Sequence, residues 1–538
     1  MVHISANPSA PSAPPAPAST VPPPTAGPTA KKRRISRATA AIIVVVVLVV
    51  AGVGGYFAYT YLTKTTSSNT ITIGMPLPTN SLIGQNILDS AQMAANQINA
   101  AGGVMINGTS YKYNIVVYDT EEADPSIPIA NGVSGVTSLI TTSHANFLIG
   151  GYRSDVVLAE LPIVAQYKEL YITFGADTGI STYVEQNYSS GGKYIFDGFV
   201  NTTQQSAQYG ILPIYLLLAY DERNTPGIAT HFDTNITNIA ILGEDAAWTD
   251  ADIGAGCNPC STPTEQAGCP LAVAFAAAGF APTYCAKFPL SPSGGNYNEL
   301  LGTLASSGTQ AIYMLAAGTE TPLLISNWGA YPWGADAGTN GQKPLLLGAD
   351  VMSEYNGTSS TDNYYKLTNV ECGTEMTFGW GPTLPLALEP TSLAFYNEFE
   401  ANYSMNPSFA DGFIYSAFFY LAQAIEKANS LNPNLIIPYL DQTDFAGPMG
   451  TVQFTGSHGL LVTFPGGVPS VPAFGMQWHT NGELYPLWSS LWAKPNFLAT
   501  EPTLLGGTGA GGTVTFENYQ EPNGTLIGGF NVVVPAGL

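Results

Sequence analysis

Residues 70–103 read TITIGMPLPTNSLIGQNILDSAQMAANQINAAGG, and this stretch carries the clearest secondary-structure pattern of the chain. It begins with a strand pattern from Thr70 to Met75 and continues into a helix pattern. The apolar residues of that helix recur at spacings of four, three and four: Ile87, Ala91, Ala94 and Ile98. Gly102 and Gly103 follow, and glycine commonly ends a helix. We therefore predict a strand followed by a helix.

The same alternation repeats along the chain. We predict further strands over 113–118, 147–150, 170–174, 238–242, 311–315 and 344–347. We predict further helices over 129–141, 156–167, 270–279 and 322–328. Strands that alternate with helices form parallel βαβ units, so the two series indicate two doubly wound α/β lobes. Such sheets bind ligands beyond the carboxyl ends of their strands, and we expect the function in a cleft between the lobes.

An apolar run at residues 38–62, ATAAIIVVVVLVVAGVGGYFAYTYL, is long enough to span a bilayer as one helix. Lys31, Lys32, Arg33, Arg34 and Arg37 precede it, and such basic flanks stay cytoplasmic. We expect a Pro-rich disordered cytoplasmic tail at 1–37, a transmembrane helix at 38–62, a linker at 63–70 and then a large extracellular domain on this single-pass anchor. A cleaved secretory signal and a pilin-like processing site are alternatives.

The composition narrows the class of protein. The chain has 538 residues, of which 45% are hydrophobic, enough to bury a sizeable core. Only 10% are charged, with 38 acidic and 16 basic residues. Because five of the bases precede the apolar run, 11 bases face 38 acids from residue 38 onward, a net charge of −27. Nucleic acid is therefore not expected as a partner, and a surface so poor in charge suits an acidic medium.

Four of the five cysteines cluster in one segment, whereas Cys372 lies far from them: Cys257, Cys260, Cys269 and Cys285. Outside the membrane we expect these four to form disulfides, with a four-thiolate zinc site as the alternative. An exported chain is also open to N-glycosylation, and the sequence has seven sequons, at Asn107, Asn187, Asn201, Asn235, Asn356, Asn402 and Asn523.

Motifs of the common enzyme classes are missing from the sequence. There is no Gly-X-Ser-X-Gly, no His-Glu-X-X-His and no phosphate-binding Gly-X4-Gly-Lys-Ser/Thr. None of the five histidines has another at a metal-ligand spacing, so we predict neither a metal nor a cofactor. The pairs Glu121/Glu122 and Glu244/Asp245 have the residue type for acid–base chemistry, but we expect them to be solvated loop residues. These observations favour a binding protein over an enzyme.

Several motifs occur together in the order and spacing of one family. They are ITIGMPLPT at 71–79, QMAANQINAAGG at 92–103, FLIGGYRSD at 147–155, IAILGED at 239–245, LGAD at 347–350, DFAGPMG at 444–450 and MQW at 476–478. Together they resemble the Leu/Ile/Val-binding proteins, which are substrate-binding proteins of ABC transporters with the type I periplasmic-binding fold.

The resemblance spans about 71 to 496 and implies two lobes joined by three crossovers. The crossovers are expected near 199–205, 378–383 and 448–454. It implies a first lobe from 71–200 and 382–450, a second lobe from 201–381 and 451–496, and a Gly/Thr-rich C-terminal extension at 497–538.

The resemblance also implies a ligand site that includes Thr79. Donors after two strands of the first lobe would hold a ligand carboxylate, and these positions correspond to Arg153, Ser154, Ala176, Asp177 and Thr178. Asp350 would bind the ammonium, with a helix N-cap as its alternative role. Trp248 and Tyr152 would form aromatic walls. Arg153 and Asp177 depart from the family pattern, and a salt bridge of Arg153 with Asp155 or Asp177 is the alternative to ligand contact.

The function implied is that of a membrane-anchored extracellular solute-binding protein of an ABC importer. It would capture a branched-chain or similar amino acid by hinge closure, as a monomer, and deliver it to separate permease and ATPase subunits. A ligand-sensing ectodomain uses the same fold and is one alternative. A surface structural or adhesive subunit is the other.

Overall fold

The structure of the protein is a computed structural model. It describes residues 69–124, 126–201, 238–254, 268–277, 280–316, 320–335, 343–348, 363–368, 374–377, 390–462, 470–471, 474–479, 484–489, 512–520 and 526–534. No helix within these ranges is long and apolar enough to cross a membrane. The predicted transmembrane helix, its cytoplasmic tail and all but the last two residues of the linker lie outside them.

The first lobe is built on a six-stranded sheet with the order β2-β3-β1-β4-β5-β6. Its strands are β1 (Asn69–Leu77), β2 (Val104–Ile106), β3 (Thr109–Asp119), β4 (Phe147–Gly150), β5 (Tyr171–Thr173) and β6 (Ile195–Asp197). Only the pairing of β2 with β3 is antiparallel among these neighbours. All four residues of β4 are buried, as expected for a parallel strand covered on both faces.

Helices cover both faces of this sheet. They are α1 (Leu82–Ala100), α2 (Ala130–Thr141), α3 (Ser154–Tyr167) and α4 (Gly179–Asn187). Strand residues contact the two layers alternately, so that Phe147 and Ile149 of β4 lie in the core with α1, whereas Leu148 lies in the core with α2, α3 and α4.

The second lobe is built on a four-stranded parallel sheet with the order β10-β9-β7-β8. Its strands are β7 (Asn238–Glu244), β8 (Ala281–Phe288), β9 (Ala311–Leu315) and β10 (Leu345–Gly348). Its helices are α5 (Asp250–Ile253), α6 (Pro270–Ala277), α7 (Asn298–Ser306), α8 (Thr321–Ala330) and α9 (Tyr364–Thr368). Leu304 of α7 and Trp328 of α8 pack on Leu242 and Met314 of the sheet, which gives this lobe a core of its own.

The C-terminal third returns to both lobes. It contains α10 (Pro390–Tyr403), α11 (Asp411–Ala428), α12 (Pro433–Leu440) and the strands β11 (Thr374–Thr377), β12 (Phe445–Gly447), β13 (Gly450–Val452), β14 (Phe474–Trp478) and β15 (Leu484–Ser489). Helix α11 packs on α1, where Ser90 Oγ donates to the Asp411 carbonyl oxygen at 2.6 Å. Val471 lies in the core of the first lobe and Met476 in the core of the second.

The C-terminal extension contains an antiparallel pair, β16 (Gly512–Gln520) and β17 (Leu526–Val534). The predicted strands 147–150 and 311–315 match β4 and β9 to the residue. The sequence patterns did not reveal β8, α7 or α10. The predicted bounds of the lobes and of the extension as domains stay predictions.

The cysteines depart in part from the prediction. Cys285 on β8 is disulfide-bonded. Cys269 is a buried thiol whose Sγ donates to the carbonyl oxygen of Asp252 at 3.7 Å, so the prediction that it is oxidised is wrong. It precedes α6 and packs in the apolar interior, the usual environment of an inert structural cysteine. Cys257, Cys260 and Cys372 lie outside the described residues.

Candidate functional site

A cleft lies between the two lobes and encloses about 730 Å³ of empty space, part of it open to solvent. Loops at the carboxyl ends of strands from both sheets form most of its walls, which is where doubly wound sheets bind ligands. From the first lobe come Ile87, Glu122, Ala123, Tyr152, Arg153, Ser154, Phe174, Ala176, Phe199, Phe409 and Ala410. From the second lobe come Glu244, Ala246, Trp248, Leu290 and Glu320.

The turn after β4 positions the centre of the first-lobe wall. Gly150 and Gly151 have φ angles of 150° and 79°, which lead the chain from the strand directly into α3. Ser154 begins that helix, and its Oγ accepts a hydrogen bond from the Ala176 N–H at 3.0 Å. The Tyr152 N–H donates to Glu122 Oε1 at 3.0 Å. Three successive βα loops are thereby tied to one another.

Arg153 is engaged within this wall. Its Nε donates to Asp155 Oδ1 at 2.6 Å and its Nη2 to Asp155 Oδ2 at 3.0 Å, a bidentate pair. Its Nη1 donates to the carbonyl oxygens of Glu122 and Asp124 at 3.2 and 3.4 Å. The alternative role predicted for Arg153, a salt bridge with Asp155, is therefore present, and the guanidinium also holds the loop after β3.

The second-lobe wall contains two glutamates, one at the end of β7 and one directly before α8. Glu244 ends β7, and its Oε1 accepts a hydrogen bond from Nε1 of Trp248. Glu320 precedes α8, and neither of its carboxyl oxygens has a hydrogen-bond partner among the described residues. Glu244 is 4% exposed and Glu320 is 6% exposed. Burial and then the charge of Glu244 raise the pKa of Glu320 to about 9.

Glu122 gives the first-lobe wall a carboxyl group of the same kind. It is 1% exposed, and its Oε2 has no hydrogen-bond partner among the described residues. Burial and then the charge of Glu160 raise its pKa well above the usual value. Glu121 and Asp245, the neighbours of Glu122 and Glu244, are exposed. The expectation that both pairs are solvated is thus wrong for one member of each. Glu122, in the turn after β3, and Glu244, at the end of β7, are buried and line the cleft.

The cleft brings together five of the predicted site residues: Tyr152, Arg153, Ser154, Ala176 and Trp248. Thr79, Asp177 and Thr178 are not among its lining residues, and Asp350 lies outside the described residues. Asp177 Oδ1 accepts a hydrogen bond from the Gly179 N–H at the start of α4, and burial raises the pKa of its carboxyl group. Sequence reasoning missed Glu320. Its position just beyond β9 was the available signal, since acids at this edge of a parallel sheet face the ligand site.

Comparison with known proteins agrees with this architecture. Residues 70–250 match the family model described as periplasmic binding protein. The structure resembles the branched-chain amino acid transporter substrate-binding protein LivJ of Streptococcus pneumoniae, solved with isoleucine, at 16% identity and a TM-score of 0.52 over 78% of this chain and 99% of that one. It resembles the leucine-binding protein LivK of Thermotoga maritima at 15% identity and a TM-score of 0.53 over 78% and 98%.

A third similar structure was solved with an aromatic acid. It is the solute-binding protein of an ABC transporter from Rhodopseudomonas palustris in complex with 3,4-dihydroxybenzoic acid, with 15% identity and a TM-score of 0.52 over 78% of this chain and 97% of that one. Residues 70–250 match the periplasmic binding protein family model, and the chain shares the two-lobed type I fold of these solved substrate-binding proteins.

Proposed function

We propose that this protein is the solute-binding subunit of an ABC importer and that it traps a small molecule between its two lobes. Closure about the crossovers would bury the ligand and present the closed form to a separate permease and ATPase. The predicted helix at 38–62 would keep the protein at the outer face of the cell membrane.

The cleft itself carries this proposal. It has mainly apolar and aromatic walls with a few convergent polar groups, which is the usual composition of a small-molecule site. Trp248 from the second lobe and Tyr152 and Phe199 from the first line the same space. A ligand that contacts both walls would stabilise the closed form over the open form, which is the differential affinity that closure requires.

A branched-chain amino acid is the first ligand to test, because LivJ and LivK are named for such ligands. The side chain would pack against Trp248, and its α-ammonium would need an acceptor in the second lobe. The structure with 3,4-dihydroxybenzoic acid adds aromatic acids to the compounds that belong in a screen.

Thermal unfolding of the full-length protein in detergent, followed by intrinsic fluorescence, tests this function. The screen should contain amino acids, amines, amides and carboxylates of three to ten carbons. A ligand at a hundred times its Kd adds about 2.7 kcal/mol to the free energy of unfolding, which is a readily measured shift in Tm. A sample that unfolds cooperatively and responds to no compound would contradict the proposal.

A further inference from the structure

We propose that the ligand carries a protonated amine or another cationic N–H group, and that Glu320 and Glu122 receive it from opposite walls of the cleft. This inference rests on the proposed function, because it names the chemical class of the solute. It differs from the site that the resemblance implies, in which first-lobe donors hold a ligand carboxylate and Asp350 holds the ammonium.

The acceptors for such a group are present and unused. Both carboxyl oxygens of Glu320 and the Oε2 atom of Glu122 lack a hydrogen-bond partner among the described residues. Both side chains line the cleft and are more than nine-tenths buried. A buried polar atom without a hydrogen-bond partner destabilises the folded protein, so an arriving N–H donor would relieve that penalty. The Glu244 carboxyl group lies beside Glu320 and adds to the negative potential of the second-lobe wall.

The donors that a ligand carboxylate would need are already engaged in the first lobe. The Ala176 N–H donates to Ser154 Oγ, and the Tyr152 N–H donates to Glu122 Oε1. The guanidinium of Arg153 is neutralised by Asp155 and held by two carbonyl oxygens. Among the described lining residues, Arg153 is the one cation and it is already paired, so an anionic ligand would find no unengaged cation there. An ammonium, by contrast, can pair with Glu320 once that carboxyl group has given up its proton.

Proton balance follows from the same geometry. The pKa of Glu320, about 9, keeps it protonated near neutral pH in the unliganded protein. When an ammonium binds, the Glu320 O–H proton leaves to solvent and a carboxylate paired with the ammonium remains. Groups that act on Glu320 and Glu122 are Glu244, Tyr297, Glu160, Arg153, Asp155 and Tyr171. Arg153 is the one cation among these groups, and it acts on Glu122. No cation among them acts on Glu320, so pairing with the ligand ammonium lowers the pKa of Glu320 in the complex.

The affinity for an amine should thus be full above the free-state pKa of Glu320 and decline as the pH falls through that value towards the pKa in the complex. Between pH 6 and 8 the affinity should rise with pH, and calorimetry in two buffers of different ionisation enthalpy should detect proton release. An affinity for the amine that falls with rising pH would overturn the inference.

The test uses three compounds with one carbon skeleton: 4-methylpentylamine, 4-methylpentanamide and 4-methylpentanoate. Titration calorimetry on the full-length protein should give the tightest binding for the amine. The variant Glu320→Gln keeps the shape of the protonated side chain, so it should fold with an unchanged Tm and bind the amine about a hundredfold more weakly. The matched control Glu169→Gln changes a half-buried glutamate outside the cleft and should bind as the wild type does.

Three other results of this titration would contradict the assignment of a cationic ligand. Binding of the amide or the carboxylate but not the amine would overturn the cationic assignment and leave solute binding intact. Equal affinity of wild type and Glu320→Gln for the amine would also overturn it. If none of the three compounds binds, the cationic assignment fails, and the broader thermal screen then decides separately whether solute binding fails too.

Discussion

Arg153 joins two loops of the ligand-facing wall at the scale of a single side chain. Its side chain is 13% exposed, and it bonds both oxygens of Asp155 while also holding the carbonyl oxygens of Glu122 and Asp124. Only a planar guanidinium presents donors in directions that reach all of these acceptors at once. We interpret Arg153 as a positioning residue that fixes the backbone of Glu122 and of the turn that follows it.

The change Arg153→Lys should destabilise the protein although it keeps the charge. Lysine cannot form the bidentate pair and reach the loop after β3 together, so we expect a loss of about 1.5–3 kcal/mol in the free energy of unfolding. Urea unfolding measures it. The matched control is Lys427→Arg, at an exposed position in the last turn of α11, which should change stability by less than about 0.5 kcal/mol. Equal stability of Arg153→Lys and wild type would show that the hydrogen bonds of the guanidinium do not contribute to stability.

Some residues of the cleft could be predicted from the sequence and others could not. The resemblance led to Tyr152, Arg153, Ser154, Ala176 and Trp248, which line the cleft because strand ends are encoded locally. It did not lead to Glu320, which is 6% exposed and lies near Glu244, a residue 76 positions away in the sequence. Composition favours solvated acids, and no local pattern distinguishes a carboxyl group that tertiary packing has desolvated.

The turn between β4 and α3 is the element on which the first-lobe wall depends. Gly151 has a φ of 79°, and a Cβ there would lie 2.3 Å from Tyr171 Oη and 2.7 Å from Val157 Cγ2. Tyr171 Oη donates to Glu160 Oε2 at 2.8 Å, so the tyrosine cannot yield without losing a buried hydrogen bond. The close approach of turn, strand and helix therefore requires glycine here.

We predict that Gly151→Ala costs more stability than Gly108→Ala. Both glycines have positive φ angles, 79° and 76°, but a Cβ at Gly108 would meet no atom within 4 Å. The control should lose about 1–2 kcal/mol for the backbone conformation alone. Gly151→Ala should lose about 1–3 kcal/mol more because of overpacking, and it should also weaken ligand binding. Equal losses in chemical denaturation would mean that the turn tolerates a side chain.

Helices and strands were predictable from the sequence where their apolar residues recur at a regular spacing. Helix α1 and strands β4 and β9 have clear apolar patterns and were predicted within a few residues. Strand β8 has the sequence APTYCAKF, in which polar residues interrupt the apolar ones, and no strand was predicted there. Its pairing with β7 along the sheet, a long-range contact, supplies what local propensity does not.

Across the described part of the molecule, burial raises the pKa of several carboxyl groups. Burial raises the pKa of Glu160 to about 8, that of Asp411 to about 8 and that of Glu169 to about 7. The pKa values of Glu122 and Asp197 are raised as well, chiefly by burial. With pKa values of about 8 to 9, Glu160, Asp411 and Glu320 are neutral in the folded protein at mildly acidic pH.

The free energy of unfolding should therefore fall as the pH rises from about 5 to 9. Carboxyl groups of an unfolded chain titrate near about 4, so a group with a raised folded-state pKa stabilises fully below that value and loses its contribution as the pH rises to its folded pKa. Each such group lowers the free energy of unfolding by about 1.4 kcal/mol per pH unit within its window.

Urea unfolding at several pH values measures this slope. Glu169→Gln should make the slope shallower up to about pH 7, whereas Glu185→Gln, at an exposed position, should leave it unchanged. Stability that stays constant or rises between pH 5 and 8 would contradict the protonation states described here.

Capture of one ligand by both lobes is tested most directly by titration calorimetry on variants of opposite walls. With 4-methylpentylamine, or the strongest compound of the thermal screen, Tyr152→Ala in the first lobe and Trp248→Ala in the second should each weaken binding about tenfold or more. Tyr167→Ala, at a tyrosine that is 46% exposed, should bind as the wild type does. Loss of affinity in both cleft variants is the predicted result, and unchanged affinity in either one would contradict a ligand held between the lobes.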